Sequence, residues 1–226
     1  MKLVIFDCDG TIVDSQNGIH AAMVYAYGSL GLAPPKRCET ISVIGLSLPE
    51  AFLQLSPGES APTRRALSER YKQAFGQMRH DPAHEDQLFR GAAEVIGALA
   101  GRRDMRLGIA TGKSIRGVER LLDREGWHTH FATIQTADTH PSKPHPSMIT
   151  TAMTDVGAPP HRTVMIGDTT YDIEMARAAG VGAIGVTWGY HAAELLLASG
   201  AHRLVDDYAA LPDAIERVLA ELEAVA

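Results

Sequence analysis

Cysteine, aromatic residues and long apolar runs are all scarce in this chain of 226 residues. Two cysteines cannot build a disulfide framework, and aromatic residues make up only 6% of the sequence. No apolar stretch reaches the roughly 20 residues that a membrane-spanning helix needs. The chain runs from Met1 and Lys2 directly into a strand-like segment, without the apolar region and cleavage site of a signal peptide. We therefore expect a cytoplasmic protein with no membrane partner.

Blocks of like charge are also missing, although the formal net charge is −6. Proteins that bind nucleic acid as their main partner carry a basic stripe that neutralises phosphates, and none is present here. We therefore expect no nucleic-acid partner. An anionic substrate would need local cations, either a metal ion or a positioned lysine, to overcome the acidic side chains around it.

Alternation of apolar and amphipathic segments indicates the fold class. From Met105 onward, short apolar runs alternate with stretches of helical periodicity. This alternation predicts right-handed βαβ units in an α/β protein, with a Rossmann-like parallel sheet covered by helices on both faces. The predicted strands lie at residues 3–6, in the middle of the sheet, and at 107–110, 131–135, 164–166, 183–186 and 204–205.

Residues 15–86 break this alternation, because they show helical periodicity but no convincing strand. We predict a small all-α cap domain over 15–86 and a catalytic core over 1–14 and 87–226. An insertion after the first strand lies where open α/β folds bind ligands, so it could act as a lid. His80 and His84 are interpreted as surface residues near the hinge, because Pro82 disrupts the helix that a zinc pair would need.

Two acidic residues, Asp7 and Asp9, follow the apolar run at residues 3–6 directly. Two carboxylates so close together are electrostatically costly, and a divalent cation or a proton on one of them relieves the repulsion. Both remedies suit phosphoryl transfer to a carboxylate. Gly10 allows a sharp turn, and the Thr11 hydroxyl can orient a neighbouring carboxyl group.

Three later strand ends carry further polar groups that suit phosphate chemistry. Thr111, Gly112 and Lys113 offer a hydroxyl and backbone N–H groups beside a helix start, which is a natural anion cradle. Lys143 stands just before another predicted helix. Asp168 follows the strand at 164–166, and Asp172 comes four residues later. Each feature alone is weak, but the ordered set is strong.

With these motifs the chain resembles phosphatases of the haloacid dehalogenase-like superfamily, in the phosphoglycolate phosphatase-like branch that carries a helical cap after the first strand. The segment from Asp7 to Thr11 matches the first motif of that family, and Thr111 matches the second. Lys143 matches the third motif, and the segment from Gly167 to Asp172 matches the fourth. Dehalogenating members lack the second aspartate of the first motif, whereas Asp9 is present here.

The resemblance implies a role for each acidic residue. Asp7 is the expected nucleophile that forms an aspartyl-phosphate. Asp9 is expected to protonate the leaving oxygen and then to deprotonate the attacking water. Mg²⁺ is the expected cofactor, held by Asp7, the backbone carbonyl of Asp9, and Asp168. Asp172 is expected to orient a metal-bound water or Lys143, unless it is an ordinary carboxylate at a helix start.

The resemblance also implies which groups hold the phosphate. Thr111 and the amide of Gly112 are expected to bind phosphoryl oxygens, while Lys143 neutralises them and pairs with Asp7. Lys113 is expected to be exposed to solvent. The segment 45–49 interrupts the helical insertion where relatives place a substrate-selecting loop, and an ordinary turn explains it equally well. The segment 187–190 is expected at the rim of the site.

The expected activity is Mg²⁺-dependent hydrolysis of a small phosphorylated metabolite, phosphoglycolate or a similar monoester, by a monomer or homodimer. Pyrophosphate hydrolysis and sugar-phosphate mutase chemistry remain alternatives within the same family. A receiver-like module that uses phospho-aspartate as a switch is a third interpretation. It is disfavoured because the receiver's acid pair follows the first strand while its acceptor follows a later one. A catalytically idle binding module is disfavoured by the complete set of motifs.

Overall fold

A six-stranded parallel sheet forms the centre of the molecule in the computed structural model, which describes residues 1–78 and 86–226. The strand order is β5-β4-β1-β6-β7-β8, so the first strand lies inside the sheet, as predicted. The strands are β1 (Lys2–Phe6), β2 (Val13–Asp14), β3 (Gln87–Leu88), β4 (Met105–Thr111), β5 (Phe131–Thr136), β6 (Thr163–Gly167), β7 (Gly182–Val186) and β8 (Arg203–Val205).

Helices connect the strands and cover the sheet. They are α1 (Gln16–Ser29), α2 (Arg37–Ser42), α3 (Leu48–Leu55), α4 (Ala61–Met78), α5 (Ala92–Ala100), α6 (Ile115–Glu125), α7 (Ser147–Val156), α8 (Thr170–Ala178), α9 (Ala193–Ala198) and α10 (Leu211–Glu223). Within the described ranges, no helix is both long enough and apolar enough to cross a membrane.

Alternating side chains of β1 explain why the sheet is covered on both faces. Leu3 and Ile5 belong to one apolar cluster, whereas Val4 and Phe6 belong to another on the opposite face, and all four are fully buried. Successive strand residues point to opposite faces, so a continuous apolar run needs helices on both sides. The α/β prediction is therefore confirmed.

The four helices α1 to α4 lie between β2 and β3, and the side chains between them form a small apolar core of their own. Tyr27 and Phe52 pack there with Leu67, and the Tyr27 hydroxyl lies 2.6 Å from Ser56 Oγ. The strands β2 and β3 pair antiparallel, so the outgoing and returning chains run side by side. We propose that this insertion is a cap domain with the bounds 15–86. The histidines His80 and His84 lie outside the described residues.

Candidate active site

Neighbouring strand ends bring the predicted acidic residues together. Asp7 follows β1, and Asp168 follows the adjacent strand β6. Asp172 lies in the first turn of α8. One carboxylate oxygen from each of these three buried aspartates lies within 4.8 Å of the others. The carboxyl ends of parallel strands therefore assemble a compact acidic cluster, which we call the aspartate cluster.

Lys143 supplies the positive charge of the aspartate cluster. Its Nζ donates a hydrogen bond to Asp172 Oδ1 at 2.6 Å and lies 2.9 Å from Asp7 Oδ1. The side chains of all three residues are fully buried. Burial alone lowers the pKa of Lys143, but the carboxylates of Asp172 and Asp7 outweigh that effect and raise the pKa, so the ammonium stays charged.

Asp7 differs from its neighbours because neither of its carboxylate oxygens accepts a hydrogen bond from the described part of the chain. The 2.9 Å approach of Lys143 is an ion pair without hydrogen-bond geometry. Burial raises the pKa of Asp7 to about 6, an effect opposed by Lys143 and strengthened by the charges of Asp172 and Asp9. Asp7 Oδ2 therefore has no hydrogen-bond donor among the described residues, and Oδ1 is paired only with the ammonium of Lys143.

Asp168 is held from two sides. The Thr11 hydroxyl donates a hydrogen bond to Asp168 Oδ1 at 2.9 Å, and the Tyr190 amide donates to Oδ2 at 2.9 Å. Burial nevertheless raises the pKa of Asp168 well above its usual range. Gly10 has φ +87°, and a Cβ at that position would lie 2.1 Å from Asp168 Oδ2. Only glycine allows both this turn and this close approach.

Both oxygens of Asp172 already have hydrogen-bond donors. Oδ1 accepts from Lys143, and Oδ2 accepts from the Thr169 hydroxyl at 2.7 Å and from the Thr169 amide at 3.1 Å. The hydrogen bond from the Thr169 amide is part of the capping box at the start of α8. Asp172 is therefore placed to orient Lys143, and it has less capacity for a further ligand than Asp7.

A divalent cation fits the aspartate cluster. The cluster combines three buried carboxylates with one ammonium, which leaves a net negative charge of about two if all of them are ionised. The carboxylate oxygens of Asp7 and the neighbouring Asp168 are hard donors of the kind that Mg²⁺ prefers. Neutralisation by a bound cation also removes the cost of burying Asp7 without hydrogen bonds.

Two of the phosphate-binding residues expected from the sequence lie where β4 ends: Thr111 is its last residue and Gly112 begins the loop that follows. Thr111 is buried, and its Oγ1 accepts a hydrogen bond from the Lys113 amide at 3.2 Å. A Cβ on Gly112 would lie 2.6 Å from the carbonyl oxygen of Gly45 and 2.8 Å from that of Leu46. The backbone of the insertion therefore packs directly on the loop that carries Gly112.

Two hydrogen bonds extend this contact between the insertion and the core. The Ser47 amide donates to Ser142 Oγ at 2.8 Å, beside Lys143. The Tyr171 hydroxyl donates to the Ser42 carbonyl oxygen at 2.9 Å. The segment 42–47, which we call the insertion loop, therefore contacts the loops that carry Gly112 and Ser142 and the first turn of α8. It is more than a turn between two helices.

Asp9 lies apart from the aspartate cluster. Its Oδ1 accepts a hydrogen bond from Lys113 Nζ at 2.6 Å, and the same ammonium donates to Asp86 Oδ2 at 2.9 Å. The prediction that Lys113 is exposed to solvent is wrong, because only 11% of its side chain is accessible. Pairing with two carboxylates explains how the lysine tolerates this burial.

Tyr190 belongs to the segment 187–190, which is expected from the sequence to lie at the rim of the site, but its contacts were not predicted. Its amide holds Asp168, while its hydroxyl accepts a hydrogen bond from the Ser15 amide at 3.0 Å and lies 3.3 Å from Asp14 Oδ1. One residue thus contacts both an aspartate of the cluster and the point where the chain leaves for the insertion. Its place after β7 was the available signal, since strand ends border the site.

We expect Asp7→Asn to stabilise the metal-free protein above pH 6, because the substitution removes a buried carboxylate that lacks hydrogen bonds. Burial raises the pKa of Asp7 in the folded state to about 6, above its usual value. Ionisation of Asp7 therefore opposes folding more and more as the pH rises from that usual value to about 6. The expected gain is about 1–3 kcal/mol of unfolding free energy at about pH 8, and it becomes small only below about pH 4, where the carboxyl is protonated in the unfolded chain as well. Urea denaturation in the presence of a chelator measures it. A variant that is less stable than the wild type at the higher pH would contradict the prediction.

Comparison with known proteins agrees with this geometry. A family model described as haloacid dehalogenase-like hydrolase matches residues 4–186. The "Probable phosphatase IndB" of Dickeya dadantii is 36% identical over 219 residues, which cover 96% of this chain and 94% of that protein. The phosphoglycolate phosphatase of Rhodospirillum rubrum is 29% identical over 218 residues, covering 94% and 90%.

A comparison with solved structures also finds a hydrolase of similar fold. A hydrolase from Pseudomonas syringae superposes with a TM-score of 0.83 and 26% sequence identity, and the match covers 96% of this chain and 99% of that one. The family model spans most of the chain and includes β4, β6 and the carboxyl end of β1, which border the aspartate cluster. The chain belongs to the haloacid dehalogenase-like hydrolase family.

Proposed function

We propose that this hydrolase removes phosphate from a small phosphorylated metabolite through a covalent phosphate on Asp7. Its family and its phosphatase relatives support a phosphatase. The observation that carries the proposal is the state of Asp7, a fully buried carboxylate with two oxygens that accept no hydrogen bond from the described residues and with an ammonium 2.9 Å away. Such a group is positioned to attack an electrophile.

In the first step, an oxygen of Asp7 attacks phosphorus, and the bond from phosphorus to the ester oxygen breaks. Asp9 gives its proton to that leaving oxygen. Lys143 neutralises charge on the phosphoryl group, and the Thr111 hydroxyl with the Gly112 amide binds phosphoryl oxygens. Phosphoryl transfer depends mainly on positioning and charge stabilisation, which these residues supply.

In the second step, water attacks the phosphorus atom of the aspartyl-phosphate. Asp9, now a carboxylate, takes the proton from that water, and the bond between phosphorus and the Asp7 oxygen breaks. Inorganic phosphate leaves and Asp7 is regenerated as a carboxylate. The same residue thus serves as acid and then as base, as a hydrolysis in two displacements requires.

Mg²⁺ is the proposed cofactor, held by Asp7, the backbone carbonyl of Asp9, and Asp168. When bound, it supplies positive charge beside the transferred phosphoryl group. Thr11 and Tyr190 hold Asp168 in place for this role through hydrogen bonds of 2.9 Å each. Asp172 acts through Lys143, whose ammonium it holds at 2.6 Å.

The position of the insertion loop favours a substrate of small size. It packs on Gly112 and Ser142, the loops from which phosphate is held, and so limits the room around the phosphoryl group. The similarity to a phosphoglycolate phosphatase supports phosphoglycolate or a similar short monoester.

We expect phosphoglycolate or another short monoester to give a kcat/KM at least about tenfold above those of nucleotides and phosphopeptides, because a packed lid disfavours bulky groups. Release of inorganic phosphate across a panel of esters measures the preference, and the panel includes pyrophosphate and glucose 1-phosphate. Preference for a bulky ester, or conversion of glucose 1-phosphate to glucose 6-phosphate, would reject the proposed substrate class.

We expect Asp7→Asn to lower kcat by about a thousandfold or more, because an amide is a poor nucleophile. Asp9→Asn is expected to lower kcat by about 10²–10⁴-fold, because general acid–base catalysis contributes that much. Asp213→Asn is the matched control, since Asp213 is exposed on α10. Near-normal turnover in either site variant would remove that residue from its proposed role.

We expect Mg²⁺ to raise the melting temperature of the chelator-treated protein, because a cation that binds the folded chain stabilises it by mass action. Asp168→Asn is expected to abolish most of this shift, since it removes one proposed ligand. Thermal unfolding across a magnesium titration measures the effect independently of turnover. An equal shift in the wild type and in Asp168→Asn would exclude Asp168 as a ligand.

A further inference from the structure

Asp9, Lys113 and Asp86 form a shielded row of charges beside the aspartate cluster. The ammonium of Lys113 lies 2.6 Å from Asp9 Oδ1 and 2.9 Å from Asp86 Oδ2. The side chains are only 11%, 11% and 18% exposed for Asp9, Lys113 and Asp86 respectively. Solvent screening is weak for pairs this buried, so the contact restrains Asp9 far more than a surface ion pair could.

Gly117 makes room for the lysine. It lies inside α6, and a Cβ there would be 2.8 Å from Lys113 Cγ and 3.2 Å from Cδ. Glycine within a helix costs roughly 0.5–1 kcal/mol relative to alanine. The Lys113 side chain passes across this position, which explains why a glycine stands at residue 117. The helix α6 thus accommodates the lysine.

Asp86 is itself anchored. It immediately precedes β3, where the chain returns from the insertion, and its backbone carbonyl oxygen accepts a hydrogen bond from an Arg124 guanidinium nitrogen at 2.7 Å. The Lys113 amide is also bonded to Thr111 Oγ1. The lysine is therefore fixed at both ends, by the loop after β4 and by the two carboxylates.

We propose that Lys113 is a positioning residue that holds the Asp9 carboxylate for proton transfer, with Asp86 orienting the lysine. Lys113 occupies Oδ1 of Asp9, so Oδ2 is the oxygen that delivers the proton to the leaving group and later takes one from water. Proton transfer depends steeply on such placement. This inference rests on the proposed phosphatase activity and adds to it the residues that aim its acid.

The test compares two aryl esters in the same variants. The leaving group of p-nitrophenyl phosphate is a weak base that departs without a proton, whereas that of phenyl phosphate is a much stronger base that needs one. The ratio of kcat/KM for phenyl phosphate to kcat/KM for p-nitrophenyl phosphate therefore reports acid catalysis. This quantity covers the reaction only up to departure of the leaving group, so the later hydrolysis of the aspartyl-phosphate does not affect it.

We expect Lys113→Met to lower this ratio by about tenfold or more, because a misdirected acid harms only the ester that needs it. Gly117→Ala is expected to lower the ratio as well. It keeps every charge but places a methyl group in the path of the lysine, while alanine favours the helix. Lys72→Met removes a lysine on α4 whose side chain is 59% exposed, and it should leave the ratio unchanged.

An unchanged ratio in Lys113→Met overturns the inference, whether the two rates fall together or not at all. If that variant does not fold, the ratio in Gly117→Ala decides in the same way, since that substitution does not remove a charge. A wild-type protein that releases phosphate from neither aryl ester nor any ester of the panel described above would instead reject the proposed phosphatase activity, and the inference with it. If only the short alkyl esters react, kcat/KM for the best of them decides, because an alkoxide leaving group also needs a proton. Lys113→Met is then expected to lower that kcat/KM by about tenfold or more, and an unchanged value overturns the inference.

Discussion

The burial of three neighbouring aspartates, two of them paired with Lys143, is the constraint on which the rest of the site depends. Charges removed from water are costly unless each finds a partner, and the cluster satisfies that demand unevenly. Asp172 is fully hydrogen-bonded and Asp168 is held by Thr11 and Tyr190, whereas Asp7 accepts no hydrogen bond from the described chain. Asp7 is therefore the carboxylate of the cluster that lacks hydrogen-bond donors, and it is the group best placed to react.

Much of this arrangement could be predicted because it follows from strand order. Polar residues after parallel strands collect at one edge of the sheet, and the pairing of β1 with β4 and β6 brings Asp7, Thr111 and Asp168 to that edge. The two-residue strands β2 and β3 carry too short a pattern to be recognised in a sequence. Their pairing nevertheless fixes where the insertion leaves and rejoins the core.

The environment of Lys113 could not be predicted, because it depends on three segments that are distant in the sequence. A lysine next to a helix start is usually exposed, and only the fold brings Asp9 and Asp86 to its ammonium. Gly117 was the one local hint, since a glycine inside an amphipathic helix needs a reason. Tertiary packing sets the directions of these side chains. The contact of Lys113 with Asp9 could therefore be recognised only in the folded structure.

The central claim is that Asp7 accepts the phosphoryl group covalently. The most direct measurement is a rapid acid quench during turnover of a radiolabelled phosphate ester, followed by peptide mapping of the labelled protein. Label is expected on the peptide that contains Asp7, and none is expected on the protein from Asp7→Asn. Label on another residue, or steady turnover in the wild type without any labelled protein at quench times shorter than one turnover, would contradict the claim.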